Sequence, residues 1–272
     1  MYTIRFGFRI NFSSEPVQHI LQVTSLSDGN YKLCDSQVIE LLSKRAIHEV
    51  PLHSPGIVSN FFVILKSSGG FRPIFSLKKL NEFITTEHFK IEGLSMLKEI
   101  IRENDWLVKI DLKDAYLTLP MHVDSQPFLQ FLWDGKKYQY NCLPFCLNCA
   151  PWVFTKILKP IISFLRKQGV RLIIYLDDML ILSESRSNAI VNFRLVIDTL
   201  NFAGFLINWE KTISVPSHQI EFLGVIIDSE QLTLSLKQSK VEDIKKLCLS
   251  ALSKPQCSLK EIATIMGNFS WQ

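Results

Sequence analysis

The chain has 272 residues, 47% hydrophobic and 21% charged, which is enough apolar content for one large or two small cored domains and excludes a disordered or fibrous chain. A formal net charge of +4 permits a polyanionic partner without demanding one. No apolar run approaches the roughly 18 residues of a membrane span. Arg5 and Arg9 interrupt the one candidate leader, Met1 to Phe12, so an intracellular protein with no membrane partner is expected.

In chain order, residues 1–44 read as an N-terminal extension whose clearest element is a capped amphipathic helix over Asp35 to Lys44. Asn60 to Leu65 and Phe71 to Ser76 are strand-like runs around KSSGG, predicting a hairpin with Lys66, Gly69 and Gly70 at its tip. Beside Lys66 and Arg72 such a tip can reach a phosphate, although a solvated turn is the commoner outcome. Trp106 to Asp111 (WLVKID) is a short apolar strand that ends in an acid, a costly placement unless the carboxylate meets a cation or a donor. Phe128 to Trp133 and Lys136 to Leu143 flank the hairpin signal Asp134-Gly135. Pro151 opens a helix with an apolar stripe of Phe154, Ile157, Leu158, Ile161 and Leu165, a kink at Pro160 and a stop at Gly169.

The next stretch, RLIIYLDDMLILS, holds two apolar runs separated only by Asp177 and Asp178, and predicts a hairpin with both carboxylates at its tip. Two adjacent acids are a poor turn for folding alone, and a divalent cation between them is the economical explanation, against a solvated turn as the bland one. A helix from Asn188 to Ala203 follows. Strands come next at 205–208, 211–215 and 220–227, the last read as one strand pairing with 232–235. Helices cover 237–251 and the stretch after the capping box of Ser258 and Glu261, with a cationic face at Lys237, Lys240, Lys245 and Lys246. Between residues 107 and 208 the order is βαββαβ, an α+β arrangement that sets the strand ending in Asp111 beside the hairpin carrying Asp177 and Asp178. Three converging acids with lysines nearby fit two divalent ions about 4 Å apart, performing an in-line phosphoryl displacement. Magnesium suits such an oxygen-rich site.

The ordered series KIDLKDAY (109–116), LPFCLNCAPWVF (143–154), YLDD (175–178), GFLINWEKT (204–212) and IEFLGVIID (220–228) resembles the motifs of retroelement reverse transcriptases, closest in flavour to DIRS-type, tyrosine-recombinase retrotransposons. The resemblance covers about residues 45–270. It implies a right-hand polymerase with fingers at 45–106 and 118–145, a palm at 107–117 and 146–230, and a thumb from 231, with no ribonuclease H segment. It implies RNA-directed DNA polymerisation with two Mg²⁺ ions (Mn²⁺ as a substitute), an RNA or DNA template, a DNA primer and deoxynucleotides, and it says nothing of oligomeric state. By the same resemblance Asp111, Asp177 and Asp178 are the metal-binding acids, with the carbonyl of Leu112 a further ligand. Asp114 and Ala115 hold the triphosphate by their backbone, and Tyr116 is the gate that clashes with a ribose 2′-hydroxyl. Lys66 and Arg72 contact the triphosphate. Lys211 is the proton donor to the leaving pyrophosphate. Phe145 and Cys146 stand at the turn nearest nucleotide and template, and Phe222, Leu223 and Gly224 form the primer-grip hairpin.

Three departures stand out: Cys146 where the family reads glycine, Ser76 where Asp or Asn is usual, and Ser67-Ser68 where Lys-Asp is common. A side chain at Cys146 is expected to obstruct the backbone's approach or an unusual φ. They favour a rival reading, a decayed copy that keeps the fold and at most binds nucleic acid. Of the six cysteines, Cys142, Cys146 and Cys149 have the spacing of radical-SAM iron-sulfur enzymes, a remote alternative. The others are Cys34, Cys248 and Cys257, and reduced thiols are expected throughout.

Overall fold

A computed structural model of the chain describes residues 2–19, 28–65, 71–254 and 256–269. The chain begins with helix α1 (Tyr2–Phe6) and a bridge from Phe8 to Met121, then runs through α2 (Asp28–Ser43), β1 (Ile47–Val50), β2 (Asn60–Leu65) and β3 (Phe71–Ser76). The N-terminal stretch is tied to the body: Phe8 N donates to Pro120 O at 2.8 Å, and His122 N donates back to Phe8 O at 2.8 Å. Gly7 sits at φ +88°, where an added Cβ would lie 2.5 Å from His122 N, so only glycine allows this close crossing. The tip between β2 and β3, with Lys66, Ser67, Ser68, Gly69 and Gly70, lies outside the described residues.

Short helices α3 (Lys78–Asn81) and α4 (Leu94–Ile100) lead to β4 (Trp106–Lys113), a 3₁₀ turn at Ala115–Thr118, and the hairpin β5 (Gln130–Trp133) and β6 (Lys136–Tyr140). Its turn residues Asp134 and Gly135 have φ of 48° and 70°, the two positive values a tight hairpin prefers. Helix α5 (Ala150–Lys167) continues through Pro160 and is followed by β7 (Arg171–Tyr175), β8 (Asp178–Ser183), α6 (Arg186–Phe202) and β9 (Leu206–Ile207). The chain then forms β10 (Ile213–Ser217), β11 (Gln219–Phe222), β12 (Val225–Asp228), β13 (Thr233–Leu236), α7 (Gln238–Leu252) and α8 (Leu259–Phe269).

Two expectations are corrected. The run 220–227 is not the one strand its residue pattern predicts: it folds back at Leu223 and Gly224, φ 50° and 78°, so that Phe222 pairs with Val225, a hairpin where the resemblance implies one. The apolar residues on either side, Phe222, Leu223, Val225, Ile226 and Ile227, hide the turn, and Gly224 is its local mark. The Asp177-Asp178 tip is displaced by one residue, because the turn is made by Leu176 (φ 54°) and Asp177, while Asp178 is a strand residue opposite Tyr175. Pairing with β4, where Asp178 lies opposite Asp111, captures it into the sheet.

The central sheet has the order β10-β4-β8-β7, with β9 pairing the far end of β4. This is the expected βαββαβ arrangement, and its two faces differ. On one face Val108, Ile110 and Leu112 of β4, with Met179 and Ile181 of β8, join the main core that includes Phe154, Leu158, Leu165, Val196 and Leu200 of α5 and α6. On the other face Leu107, Leu180 and Leu182 pack with Ile173, Leu97, Ile220, Phe222, Val225 and Ile227 in a second core. Strand side chains alternate, so Lys109 and Asp111 share the face of Leu107, and Asp178 shares that of Leu180. Along this face the side chains change from apolar to charged.

Candidate active site

Asp111 lies opposite Asp178 in the β4–β8 register and is 4% exposed. Its Oδ1 accepts a hydrogen bond from Asn208 Nδ2 at 2.8 Å, and its Oδ2 lies 3.8 Å from Lys211 Nζ. Its backbone is held on both sides: Asp111 N donates to Thr212 Oγ1 at 3.2 Å, and Asn208 N donates to Asp111 O at 2.8 Å. Asp178 Oδ1 is buried, takes no hydrogen bond and meets Lys109 Nζ at 2.8 Å as an ion pair. Asp177, in the turn, is fixed by its carbonyl, which accepts from Leu112 N at 2.9 Å, while Leu112 pairs with Ile207 of β9.

Burial pushes the Asp111 carboxyl above the ordinary carboxylate value; the Asn208 hydrogen bond and Lys211 hold it back, and the Asp178 charge adds to the rise. Burial likewise raises Asp177, against its own backbone hydrogen bond, with Asp178 and Asp111 adding to it. Among the described residues no three carboxylates, imidazoles or thiols gather into a ready cation cage. The donor set nevertheless fits magnesium, which needs only one or two carboxylates plus substrate oxygens. The buried Asp178 oxygen without a hydrogen bond is where such a cation would be held, with Asp111 across the strand pair.

Beside the acids the chain turns sharply. Asp114 takes φ 52°, a left-handed conformation, and its carboxylate is paired at 2.9 Å with Lys44, the residue just after α2, itself paired with Glu40 of α2 at 2.6 Å. Ala115 and Tyr116 follow in the buried 3₁₀ turn. The Tyr116 ring is 5% exposed and packs edge-on to Phe145 at 4.9 Å and against Phe154 at 5.0 Å; burial pushes its hydroxyl pKa far up, so it stays a neutral ring. Phe145 remains 59% exposed. Cys146 is half-buried, its carbonyl accepts from Asn81 Nδ2 at 2.9 Å, and its φ is not left-handed, so the expected strain at this position is absent. A side chain is housed there without a special backbone.

The structure thus sets Asp111 opposite Asp178 with Lys211 beside Asp111, leaves Asp177 in the adjoining turn within range of their charges, and sets Tyr116 against Phe145. Phe222 is fully buried in the second core, and Leu223 and Gly224 form the hairpin tip next to it. Lys66 lies outside the described residues; Arg72 is described only by its backbone pairing with Ile64. Sequence reasoning missed three partners of the acids, Lys109, Asn208 and Thr212, although all lie inside or beside the quoted motifs. It also missed Lys44, which no motif marks. The geometry gives the iron-sulfur reading no support: among the described residues no three thiols gather into a group that could hold a metal, and Cys142 and Cys149 are buried. No helix is long and apolar enough to cross a membrane among the described residues.

The family model for reverse transcriptase (RNA-dependent DNA polymerase) matches residues 64–227, which include every residue of the acid cluster. The chain is similar to the Gag-Pol polyprotein of Bovine immunodeficiency virus (strain R29), 26% identical over 255 residues, covering 90% of this chain and 16% of the relative. It is similar to the retrovirus-related Pol polyprotein from transposon opus of Drosophila melanogaster, 26% identical over 201 residues, covering 74% and 19%. In fold it is similar to a foamy viral protease-reverse transcriptase in complex with dsDNA, with TM-score 0.78, 21% identity and coverage of 95% of this chain and 50% of that one. The chain therefore spans under a fifth of the length of these polyprotein relatives. With the motifs in order, the family model over more than half of the sequence and the shared fold, this chain belongs to the reverse transcriptase (RNA-dependent DNA polymerase) family.

Proposed function

We propose that this chain is the polymerase part of a retrotransposon, transferring a nucleotide from a deoxynucleoside triphosphate to a primer 3′-hydroxyl on an RNA or DNA template. The observation that carries the proposal is the register placing Asp111 opposite Asp178, with Asp177 in the adjoining turn. Two Mg²⁺ ions, when bound, would lower the pKa of the attacking hydroxyl and neutralise charge on the leaving pyrophosphate. Asp111, Asp177 and Asp178, with the Leu112 carbonyl, would hold them, and burial of these acids strengthens their pull on a divalent cation. Asn208 fixes the Asp111 carboxylate so that its other oxygen faces Lys211. Lys211, 68% exposed, has the reach to give a proton to pyrophosphate.

In this reading Asp114 and Ala115 hold the triphosphate from the turn that Lys44 secures, and Lys66 and Arg72 are its further contacts. Tyr116 lies under the sugar, and its ring, backed by Phe145 and Phe154, cannot give way to a 2′-hydroxyl. Phe145 and Cys146 border nucleotide and template, and the tip at Phe222, Leu223 and Gly224 grips the primer. Fingers at 45–106 and 118–145, a palm at 107–117 and 146–230 and a thumb from 231 are the matching division.

Primer extension on an RNA template with deoxynucleotides and Mg²⁺ or Mn²⁺ tests this, comparing the native chain, Asp177→Ala and Cys146→Gly. Extension by the native chain that falls more than about a hundredfold in Asp177→Ala is expected, since even the partners of metal ligands act on a 10–100-fold scale. Extension only after Cys146→Gly would favour the decayed-copy reading; silence of all three folded proteins would sink the polymerase.

A further inference from the structure

We propose that Lys109 is an internal counter-ion that competes with a divalent cation for Asp178 and so sets how tightly the strand pair takes up metal. The inference rests on the polymerase reading above and assigns a positioning role to a residue outside its ligand set. Lys109 lies two residues before Asp111 on the same face of β4. It is opposite Leu180, so Asp178 is its diagonal neighbour across the strand pair, within reach of a long side chain. Its ammonium lies 2.8 Å from Asp178 Oδ1, and the two side chains are only 17% and 24% exposed.

Position distinguishes this lysine from its neighbour. Lys211 is 68% exposed and 3.8 Å from Asp111, whose other oxygen is already hydrogen-bonded by Asn208. Asp178 Oδ1, by contrast, has no hydrogen bond, and among the described residues the Lys109 ammonium is its one ion-pair partner. A cation that displaces Lys109 takes over its 2.8 Å ion pair with that oxygen and brings twice the charge. Lys109 is anchored on the central strand, between β8 and the β10 residue Ile213. Its flexible stem lets the ammonium turn toward solvent once released. Without it the folded chain would carry two facing carboxylates, Asp111 and Asp178, with Lys211, 3.8 Å from Asp111, as the ion-pair partner left among the described residues.

The test is Mn²⁺ binding, followed by electron paramagnetic resonance of the free ion, to the full chain without nucleic acid or nucleotide. Lys109→Met is expected to tighten Mn²⁺ binding about tenfold, the scale of one nearby unit charge at an effective protein dielectric. Lys211→Met should tighten it by less than about threefold, its charge being solvated. The gain should vanish when Lys109→Met is combined with Asp178→Asn, as a pairwise interaction requires. Lys109→Arg should weaken binding by about threefold or more, because a guanidinium fork grips a carboxylate more firmly.

An unchanged affinity in folded Lys109→Met overturns the proposal, as does an equal gain from Lys211→Met or a gain that survives Asp178→Asn. Should Lys109→Met fail to fold by circular dichroism, Lys109→Arg alone decides: no weakening overturns it. Primer extension by the native chain is read separately. Its absence alongside the expected Mn²⁺ pattern would sink the polymerase reading and leave the Lys109–Asp178 competition standing.

Discussion

Both carboxylate oxygens of Asp111 are engaged, one by Asn208 Nδ2 at 2.8 Å and the other by Lys211 Nζ at 3.8 Å. A buried carboxylate with one oxygen fixed has one orientation, which is what a ligand must have before a cation arrives. Asn208→Ala is therefore expected to lower kcat for primer extension about tenfold, with the far-ultraviolet circular dichroism unchanged. An unaltered kcat would show that Asp111 is oriented by the sheet alone. Asn208 and Lys109 were both in view in the quoted motifs, yet neither had a readable role. Asn208 meets its acid across 97 residues, and Lys109 meets Asp178 only through the β4–β8 register. Asp111 itself was legible because an acid at the end of an apolar strand breaks a local rule, whereas an asparagine in a loop breaks none.

The elements are held by polar knots away from the acids. Asp105, just before β4, is 1% exposed; its Oδ2 accepts from Arg171 Nη1 at 2.7 Å and its Oδ1 from Nη2 at 2.5 Å, a fork that spans from β4 to β7. Arg102 N also donates to its carboxylate, and Ser229 Oγ donates to its carbonyl, which links the second core's hairpin to the same point. Asp105→Ala leaves a guanidinium without its partner and is expected to cost about 3–5 kcal/mol, read as a fall in Tm of roughly 10 °C.

The link from α2 to the turn at Asp114 carries a pH signature. The Lys44 ammonium, hydrogen-bonded to Glu40, holds that carboxyl below the ordinary value, with Lys113 adding to the effect. A lowered folded value means stabilisation that is present above the ordinary glutamate range and lost as pH falls through the lowered one. Lys44→Met should therefore reduce Tm at neutral pH, and the gap to the native chain should close on acidification below about pH 4. A gap that persists in acid would mean the lysine acts by packing.

Element existence was readable almost throughout, because periodicity survives without knowledge of partners: α5, α6, α7 and the β5–β6 hairpin lie close to where the pattern puts them. The failures were turns inside apolar runs, at Leu176 and at Leu223, where a leucine takes positive φ against its preference.

At the scale of the whole molecule, a formal net charge of +4 is modest for the polyanion grip proposed above. Binding of a primer-template duplex should then rest on local lysines, several of them on α7, and not on a general field. Two neutralised phosphates already predict a loss of about tenfold in affinity between 50 and 200 mM salt. A salt-independent affinity, measured by fluorescence anisotropy, would exclude such a grip. The global order of strands and helices followed from the sequence. The cover over the apolar end of the site face did not, because the β11–β12 hairpin that forms it reads locally as one strand.

The position of β4 has a further consequence. It is hydrogen-bonded to β8 over Trp106–Asp111 on one edge and to β10 and β9 on the other, so its amides exchange with solvent only when the sheet itself separates. In deuterium labelling the residues from Val108 to Leu112 should be among the last to exchange, well after α7 and α8. The Asp111 carboxylate, proposed above to hold the metal, is then carried by the most slowly breathing segment of the chain, and a protein warmed until its outer helices fray would still keep that carboxylate in place.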